Sequence, residues 1–508
     1  MWKSISFLVK VNKNNNVCEQ IRFASQVLPQ LSSEKYNVKR KSFGDLQPTD
    51  VNYFKSILGE DRVVTEESDV LPFNIDWIKN CRGQSKVVLK PRSTEEVSSV
   101  LKYCNERRLA VCPQGGNTGL VAGCILENLD NYVREKNLIM PLDLGAKGTC
   151  HIGGNASTNA GGLRLLRYGN LHGSILGIEA KDNTGYHLKH LFIGSEGTLG
   201  VVTKIAIHCP VLPKAVTVGF FGVKSFENIL QLYKSAKSSL GEILSAFEMA
   251  DFHSIDSTVR NLKLPDEEHD GEKLNRFLTK EMESGLILDG TVTSEPAKMQ
   301  NHKIRATVHI NPRLASVVDY APLSPCERRR CPSSGNVLLM ITILFLQTIW
   351  NLRESIAGAG LVQGYVFKYD VSLPLKNYYE LVPLLREKLG KQALIVCGYG
   401  HGTPRLKDIS PKIKARYSAS RYILWLSDKA KLPEYTKEIS SQLEPFIFQE
   451  VNKLKGSISA EHGVGFRKPQ FIHYSKDESA LQMMHDLKHL MDPNGILNPY
   501  KVLPGNGL

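Results

Sequence analysis

The chain has 508 residues, 42% of them hydrophobic, enough for two or three buried cores, and its longest apolar run, VLLMITILFL at 337–346, is about half the roughly 20 residues of a membrane-spanning helix. Its net charge of +13 is uneven: residues 1–41 carry eight Lys or Arg against Glu19 and Glu34, residues 301–347 six against two acids, and residues 402–431 eight against two. A membrane span is therefore not expected, and a charge spread over a leader and two odd segments argues against nucleic acid as a partner.

Ten cysteines are scattered without CxxC pairs, which fits a reducing compartment better than a disulfide scaffold. Residues 1–45 read as a leader. MWKSISFLVKVNKNNNVCEQIRF is basic, bears Ser and Asn, and has no acid before Glu19, the composition of a mitochondrial transit peptide or of a disordered tail. From Val87 the pattern VVLKPRSTEEVSSVLKYCNERRLAVCPQGGNTGL predicts strand, helix and strand. Ser93 and Glu96 form a capping-box signature, and Val97, Val100, Leu101 and Cys104 fall on one helical face. The unit suggests a parallel strand pair with a glycine loop at its carboxyl end, where α/β proteins bind ligands. The loop is not GxGxxG entering a helix and no Walker lysine follows, so a nicotinamide or ATP reading is poor.

The stretch LGAKGTCHIGGNASTNAGGLRLLRYG at 144–169 holds seven glycines among Ser, Thr and Asn. Such a segment forms turns whose N–H groups point at an anion rather than one packed helix. A third glycine-rich stretch, GSEGTLGVVTKIAIH at 194–208, runs into a β-branched strand, and the composition changes after Pro213, consistent with a second domain. Residues 301–347 and 402–431 lack sustained periodicity and look foreign to that domain. In LIVCGYGHGTPRLKDISP (394–411), glycines present His401, a candidate half of a metal site. SALQMMHDLKHLMDPNGILNPYKVLP reads as an amphipathic helix ended by Asp-Pro-Asn-Gly.

Seven blocks, PQGGNTGLVAG, PLDLGAKGTCHIGGNASTNAGGLRLLRYGNLHGSILGIEA, DNTGYHLKHLFIGSEGTLGVVTKIAI, TIWNLRESI, FKYDVSLPL, GSISAEHGVGF and DPNGILNPYKVLP, together resemble the D-2-hydroxyglutarate dehydrogenase family. That family sits within the flavoprotein superfamily of vanillyl-alcohol oxidase and p-cresol methylhydroxylase, and the resemblance runs with gaps from about Asp50 to Pro504. It implies an α+β fold: an FAD-binding domain of the p-cresol methylhydroxylase type (80–212), a substrate domain with an antiparallel sheet (213–445), and a C-terminal helical part (446–508) that completes the flavin site. FAD is the implied cofactor. Its cradle would draw on Pro113, Gly115, Gly116, Asn117, Thr118 and Gly119, on Gly148, Gly153, Gly154, Asn155, Ser157, Thr158, Gly161 and Gly162, and on Gly197, Val202 and Asn498.

The implied reaction oxidises a 2-hydroxy acid, hydride passing from C2 to flavin N5. By the resemblance, His462 is the base for the hydroxyl proton, and an imidazole titrates near neutral pH, which suits that task. Arg353 and Lys368 resemble clamps for the two carboxylates of a hydroxy dicarboxylate. His401 and Glu461 resemble ligands of a divalent metal, expected to be zinc. An electron-transfer flavoprotein as acceptor and a mitochondrial matrix location are also implied. A D-lactate dehydrogenase of the same superfamily and a damaged, non-catalytic product remain alternatives.

Several departures bear on the last. The family's second metal His stands about seven residues after the glycine-flanked one, where this chain has Asp408, so two of three ligands survive. Family residues are missing near Gly123–Cys124 and, as a strand and turn, between Ala180 and Lys181, while Ala357 replaces a Thr. Lost strands are expected to leave unpaired sheet edges and exposed apolar surface.

Overall fold

The computed structural model describes residues 29–35, 38–76, 82–115, 124–178, 186–262, 289–296, 337–343, 353, 355–356, 359, 366–401, 418–426 and 433–504. Residues 1–28, Gly116, Asn117, Thr118, Gly119, Gly123, Ala180, Lys181, Ala357 and Asp408 lie outside them. The expected leader, 1–45, overlaps the described residues at its C-terminal end. Phe43 is buried with Phe54, Leu58 and Leu109, because its ring has an apolar seat between the first helix and the strand end that follows the second.

Helix α1 (Pro48–Leu58) starts on a proline, whose fixed φ suits the first turn, and Asp50 accepts a hydrogen bond from the Gln47 N–H at 2.8 Å. Its apolar side, Phe54 and Leu58, packs on Val100 and Cys104 of α2 (Thr94–Glu106) and on Ile496 and Leu497 from the far end of the chain. The Ser93 cap is present, with Oγ accepting from the Glu96 N–H at 3.2 Å. The expected parallel pair is absent among the described residues. Strand β2 (Val88–Leu89) instead pairs antiparallel with β1 (Val63–Val64), and Val111 bridges in parallel to Leu497. A short strand end leaves its partner to long-range contacts, which periodicity does not encode.

Asp50 ties this layer together. Fully buried, it accepts from Arg107 Nε at 2.8 Å and from the Tyr103 hydroxyl at 2.7 Å. The Arg107 guanidinium holds its carboxyl down, from 3.8 to about 2. A depressed carboxylate stabilises the fold above its unfolded pKa, and that contribution is lost as pH falls from about 4 towards about 2. Asp50→Asn is expected to cost about 2 kcal/mol at pH 7. The gap from the unaltered protein should narrow between pH 4 and 2, as read by urea unfolding across that range. An equal gap at every pH would remove the ion pair as its cause.

The second core gathers α3 (Leu126–Arg134), α4 (Ile152–Ser157) and the antiparallel pair β3 (Ile175–Ile178) and β4 (Ile205–Ile207) around Met140, Leu142, Ala156 and Val202. The glycine-rich 144–169 stretch thus contains a short buried helix as well as turns. Among the described residues β3 and β4 form a sheet of two, and Leu176 (63%), Tyr186 (92%) and Leu188 (50%), which flank the Ala180–Lys181 junction, are exposed.

The largest sheet joins seven described strands in the order β7 (Asp289–Pro296), β5 (Ala215–Val223), β8 (Val337–Ile343), β6 (Glu248–Asp251), β10 (Ala393–His401), β11 (Ser418–Leu426) and β9 (Val366–Leu373), every pairing antiparallel. Each of the two stretches that look foreign, 301–347 and 402–431, supplies a strand interior to the sheet. The run VLLMITI has no alternation, and period alone does not tell such a short continuous apolar run as strand or helix.

Side chains alternate across this sheet and sort its two faces. Phe367, Tyr369, Val371 and Leu373 of β9 pack with Leu381, Leu385, Leu443, Ile447 and Val451 of the helices Leu381–Leu389 and Pro433–Lys453. Phe221 and Met249 pack with the helix Phe226–Leu240. The opposite face carries Val366, Cys397, Tyr399 and Ala250, covered by Ile356. By the same alternation Lys368, Asp370, His401 and Glu248 belong to that second face, with His401 directly opposite Glu248.

Candidate active site

On the flavin side the glycine stretches meet the C-terminal motif. The Asn498 N–H donates to Val111 O at 2.8 Å, and its Nδ2 donates to Glu196 O at 2.6 Å. The Glu196 N–H donates to Ser157 O at 2.8 Å, tying the 194–197 turn to the end of α4. A Cβ on Gly197 would stand 2.8 Å from Asn498 Nδ2, with Pro113 3.8 Å away, so glycine is required for this close approach. Ser157, Gly197, Asn498 and Pro113 therefore converge, and Gly153, Gly154 and Asn155 lie buried on α4 beside them.

The outer members of the expected set behave differently. The Thr158 hydroxyl donates back to Gly154 O at 3.1 Å and caps its own helix. Val202 is part of the second hydrophobic core. Gly148 lies in an exposed turn against Glu127, and no described contact joins it to Ser157, Gly197 or Asn498. Gly115 is half-buried at the end of its described segment.

The residues present fit FAD. Ser157 Oγ, Asn498 Oδ1 and Gln114 Oε1 are buried, and none has a hydrogen-bond partner among the described residues. Buried polar atoms are nearly always paired, and a ligand rich in hydroxyl and phosphate groups supplies such partners.

Across the seam lies the loop Glu461–Gly465. Glu461 Oε1 accepts from the Gly162 N–H at 3.1 Å and lies 2.8 Å from His401 Nε2. Asp370 Oδ2 accepts both the Glu461 and His462 N–H groups, at 2.7 and 2.9 Å, and lies 3.8 Å from His462 Nδ1. The His462 side chain is 49% exposed. Arg353 is buried, its Nε bonded to Glu248 Oε2 at 2.9 Å and its guanidinium 5.3 Å above the Tyr399 ring. Lys368 sits half-buried on β9, two residues from Asp370 on the same face. The structure thus brings His462, Glu461, His401, Arg353 and Lys368 to one face of the sheet, opposite the Gly161–Gly162 turn.

The metal expectation fares less well. His401 and Glu461 are bonded to each other, and no group of three or more His, Cys, Asp or Glu among the described residues is placed to hold a metal. Among the described residues the donor set falls short of the three or four protein ligands that zinc sites take, so no step is assigned to the metal.

Glu196, Glu248, Asp370 and Lys468 are the functional candidates that sequence reasoning missed. Burial raises the Glu196 carboxyl above the ordinary glutamate range, against hydrogen bonds from the Val464 and Gly465 N–H groups and the fields of Lys468 and Lys501. Lys468 Nζ donates to Ile458 O at 2.8 Å, and burial pushes its ammonium down to about 8. One signal was available: an acid flanked by apolar residues or glycines, as in AFEMAD, FKYDV and GSEGTLG, is a charge in a setting that requires partners.

Comparison with known proteins is consistent with this geometry. Residues 120–190 match the "FAD binding domain" family and residues 345–502 the "FAD linked oxidases, C-terminal domain" family. The mitochondrial D-2-hydroxyglutarate dehydrogenase of Danio rerio is 38% identical over 535 aligned positions, spanning 92% of this chain and 87% of that protein. The chain belongs to the D-2-hydroxyglutarate dehydrogenase family. The Bos taurus enzyme of that name is 39% identical over 93% of this chain and 87% of its own length. The 535 aligned positions exceed the 508 residues of the chain, so the Danio rerio protein carries residues that this chain lacks.

In fold, a substrate-bound p-cresol methylhydroxylase structure superposes with a TM-score of 0.59, covering 95% of this chain and all of that one at 13% identity. The expected α+β flavoprotein architecture is therefore present, and the chain is an FAD-linked dehydrogenase by family. Among the described residues no helix is long and apolar enough to cross a membrane.

Proposed function

We propose that this chain oxidises D-2-hydroxyglutarate to 2-oxoglutarate, with FAD held between α4, the 194–197 turn and Asn498. The observation that carries the reading is the seam where Gly162 meets Glu461 at 3.1 Å, beside a sheet face bearing His462, Arg353 and Lys368. When bound, FAD supplies the acceptor for the hydride that leaves C2. His462 takes the hydroxyl proton, and its Nδ1 stands 3.8 Å from Asp370 Oδ2. Arg353, fixed at Nε by Glu248, directs its guanidinium to one substrate carboxylate, and Lys368 takes the other. Two cations suit a dicarboxylate better than lactate. The mitochondrial names of the relatives support a mitochondrial location; the matrix as its compartment and an electron-transfer flavoprotein as electron acceptor are part of the proposal.

The test is the visible flavin band of the purified chain during anaerobic addition of D-2-hydroxyglutarate or D-lactate. Bleaching by the dicarboxylate and not by lactate is the expected result. Bleaching by lactate alone would move the substrate to a monocarboxylate. A band that stays oxidised, or a chain without flavin, would make this a non-catalytic product, the reading favoured by the exposed Leu176, Tyr186 and Leu188.

A further inference from the structure

The geometry points to Glu196 as a positioning residue that couples the flavin cradle to the loop carrying His462. This rests on the function proposed above and assigns Glu196 a task within it. The carboxylate accepts two backbone hydrogen bonds from that loop, Val464 N–H to Oε1 at 2.7 Å and Gly465 N–H to Oε2 at 2.8 Å. Asp370 takes the N–H groups of Glu461 and His462 from the other side. Four amides of a five-residue loop thus end on two buried carboxylates, one on the sheet and one on the flavin side.

The fit leaves no room for slack. Gly463 (φ +78°) and Gly465 (φ +55°) curl the backbone around the Glu196 carboxylate, and a Cβ on Gly463 would stand 2.5 Å from Oε1. Glu196 itself adopts φ +52°, a conformation that non-glycine residues hold only where the surroundings fix it. The fixings are the bonds of its own backbone, N–H to Ser157 O and O from Asn498 Nδ2. Both partners belong to the flavin cradle. A ligand that orders Ser157 and Asn498 therefore orders the residue that grips the catalytic loop.

Both acceptor oxygens are needed. Glutamine at this place can accept one loop N–H but turns its NH2 group towards the other, whereas a carboxylate accepts both. A displacement of the order of 1 Å at a proton-accepting group costs about 10²-fold in rate.

The test compares FAD-loaded wild type, Glu196→Gln and Glu196→Asp. In Glu196→Gln, backbone hydrogen exchange of the peptide spanning 461–465 is expected to rise at least tenfold. The FAD dissociation constant and the exchange of the peptide containing Ser157 should move less than about threefold. Flavin reduction at saturating D-2-hydroxyglutarate should fall about 10²-fold with little change in half-saturation, and Glu196→Asp should recover part of it. Unchanged exchange over 461–465 would overturn the proposal, and so would loss of FAD binding in Glu196→Gln, which would make Glu196 a part of the cradle alone. The exchange readout needs no turnover. If wild type fails to reduce its flavin, the assigned reaction falls while the coupling is still decided.

Discussion

Replacing His462 with alanine is expected to slow anaerobic flavin reduction by D-2-hydroxyglutarate about 10²–10⁴-fold, the usual contribution of a positioned general base. FAD content should not change. The His462 side chain is 49% exposed, so its removal opens no buried cavity, and the bond that fixes the loop here is its backbone N–H to Asp370 at 2.9 Å, which alanine retains. The loss would therefore lie in the chemical step. His462→Gln keeps a hydrogen-bonding side chain without an imidazole's basicity and should be equally slow. The measurement is stopped-flow flavin reduction at saturating substrate, with flavin per chain determined alongside. A rate within about tenfold of wild type would remove His462 from the proton transfer.

The residue types of this site were legible in the sequence and their pairings were not. Glycine clusters, a histidine beside an acid and an arginine after an apolar residue are local signals. His401 and Glu461 could each be named as polar groups of a site, but only the fold shows that 60 residues of separation close to a 2.8 Å bond. Arg353 read as a carboxylate clamp with no protein partner named; the structure gives it Glu248, 105 residues away, and a Tyr399 ring face. Such partners follow from sheet order, since β6 stands beside β10 and places Glu248 opposite His401. Sheet order is a tertiary result that no window of sequence carries.

The same limit explains why a strand was not legible within 301–347. Val337–Ile343 has no alternation to detect, and its basic flank suggested an insert, yet it pairs with β5 on one side and β6 on the other. Where the pattern was strong, the structure agrees. The capped helix Thr94–Glu106 and the terminal helix Glu478–Met491, ended at Asp492, both lie where period and cap residues put them.

Gly162→Ala is expected to be the most damaging small substitution in the flavin half. The residue holds φ +67°, and a Cβ there would meet the Asp143 carbonyl oxygen at 2.2 Å and Leu144 Cδ2 at 2.8 Å. The carbonyl cannot retreat cheaply: it accepts the Leu163 N–H at 2.9 Å, and the Asp143 side chain is bonded at 2.9 Å to Arg164, which is itself fully buried. The left-handed conformation costs an alanine about 1–2 kcal/mol and overpacking about 1–3 more, so a loss of about 2–5 kcal/mol is expected. That is a large part of a domain's typical stability of about 5–15 kcal/mol. The Gly162 N–H is also the bond to Glu461, so FAD retention and flavin reduction should fall with stability. Gly169 provides the control, because it holds φ +75° with nothing within 4 Å of its would-be Cβ. Gly169→Ala should show only the conformational cost of about 1–2 kcal/mol. Thermal unfolding of the two variants, read with and without FAD, separates the terms: equal losses would mean that the space around Gly162 is not what requires glycine there.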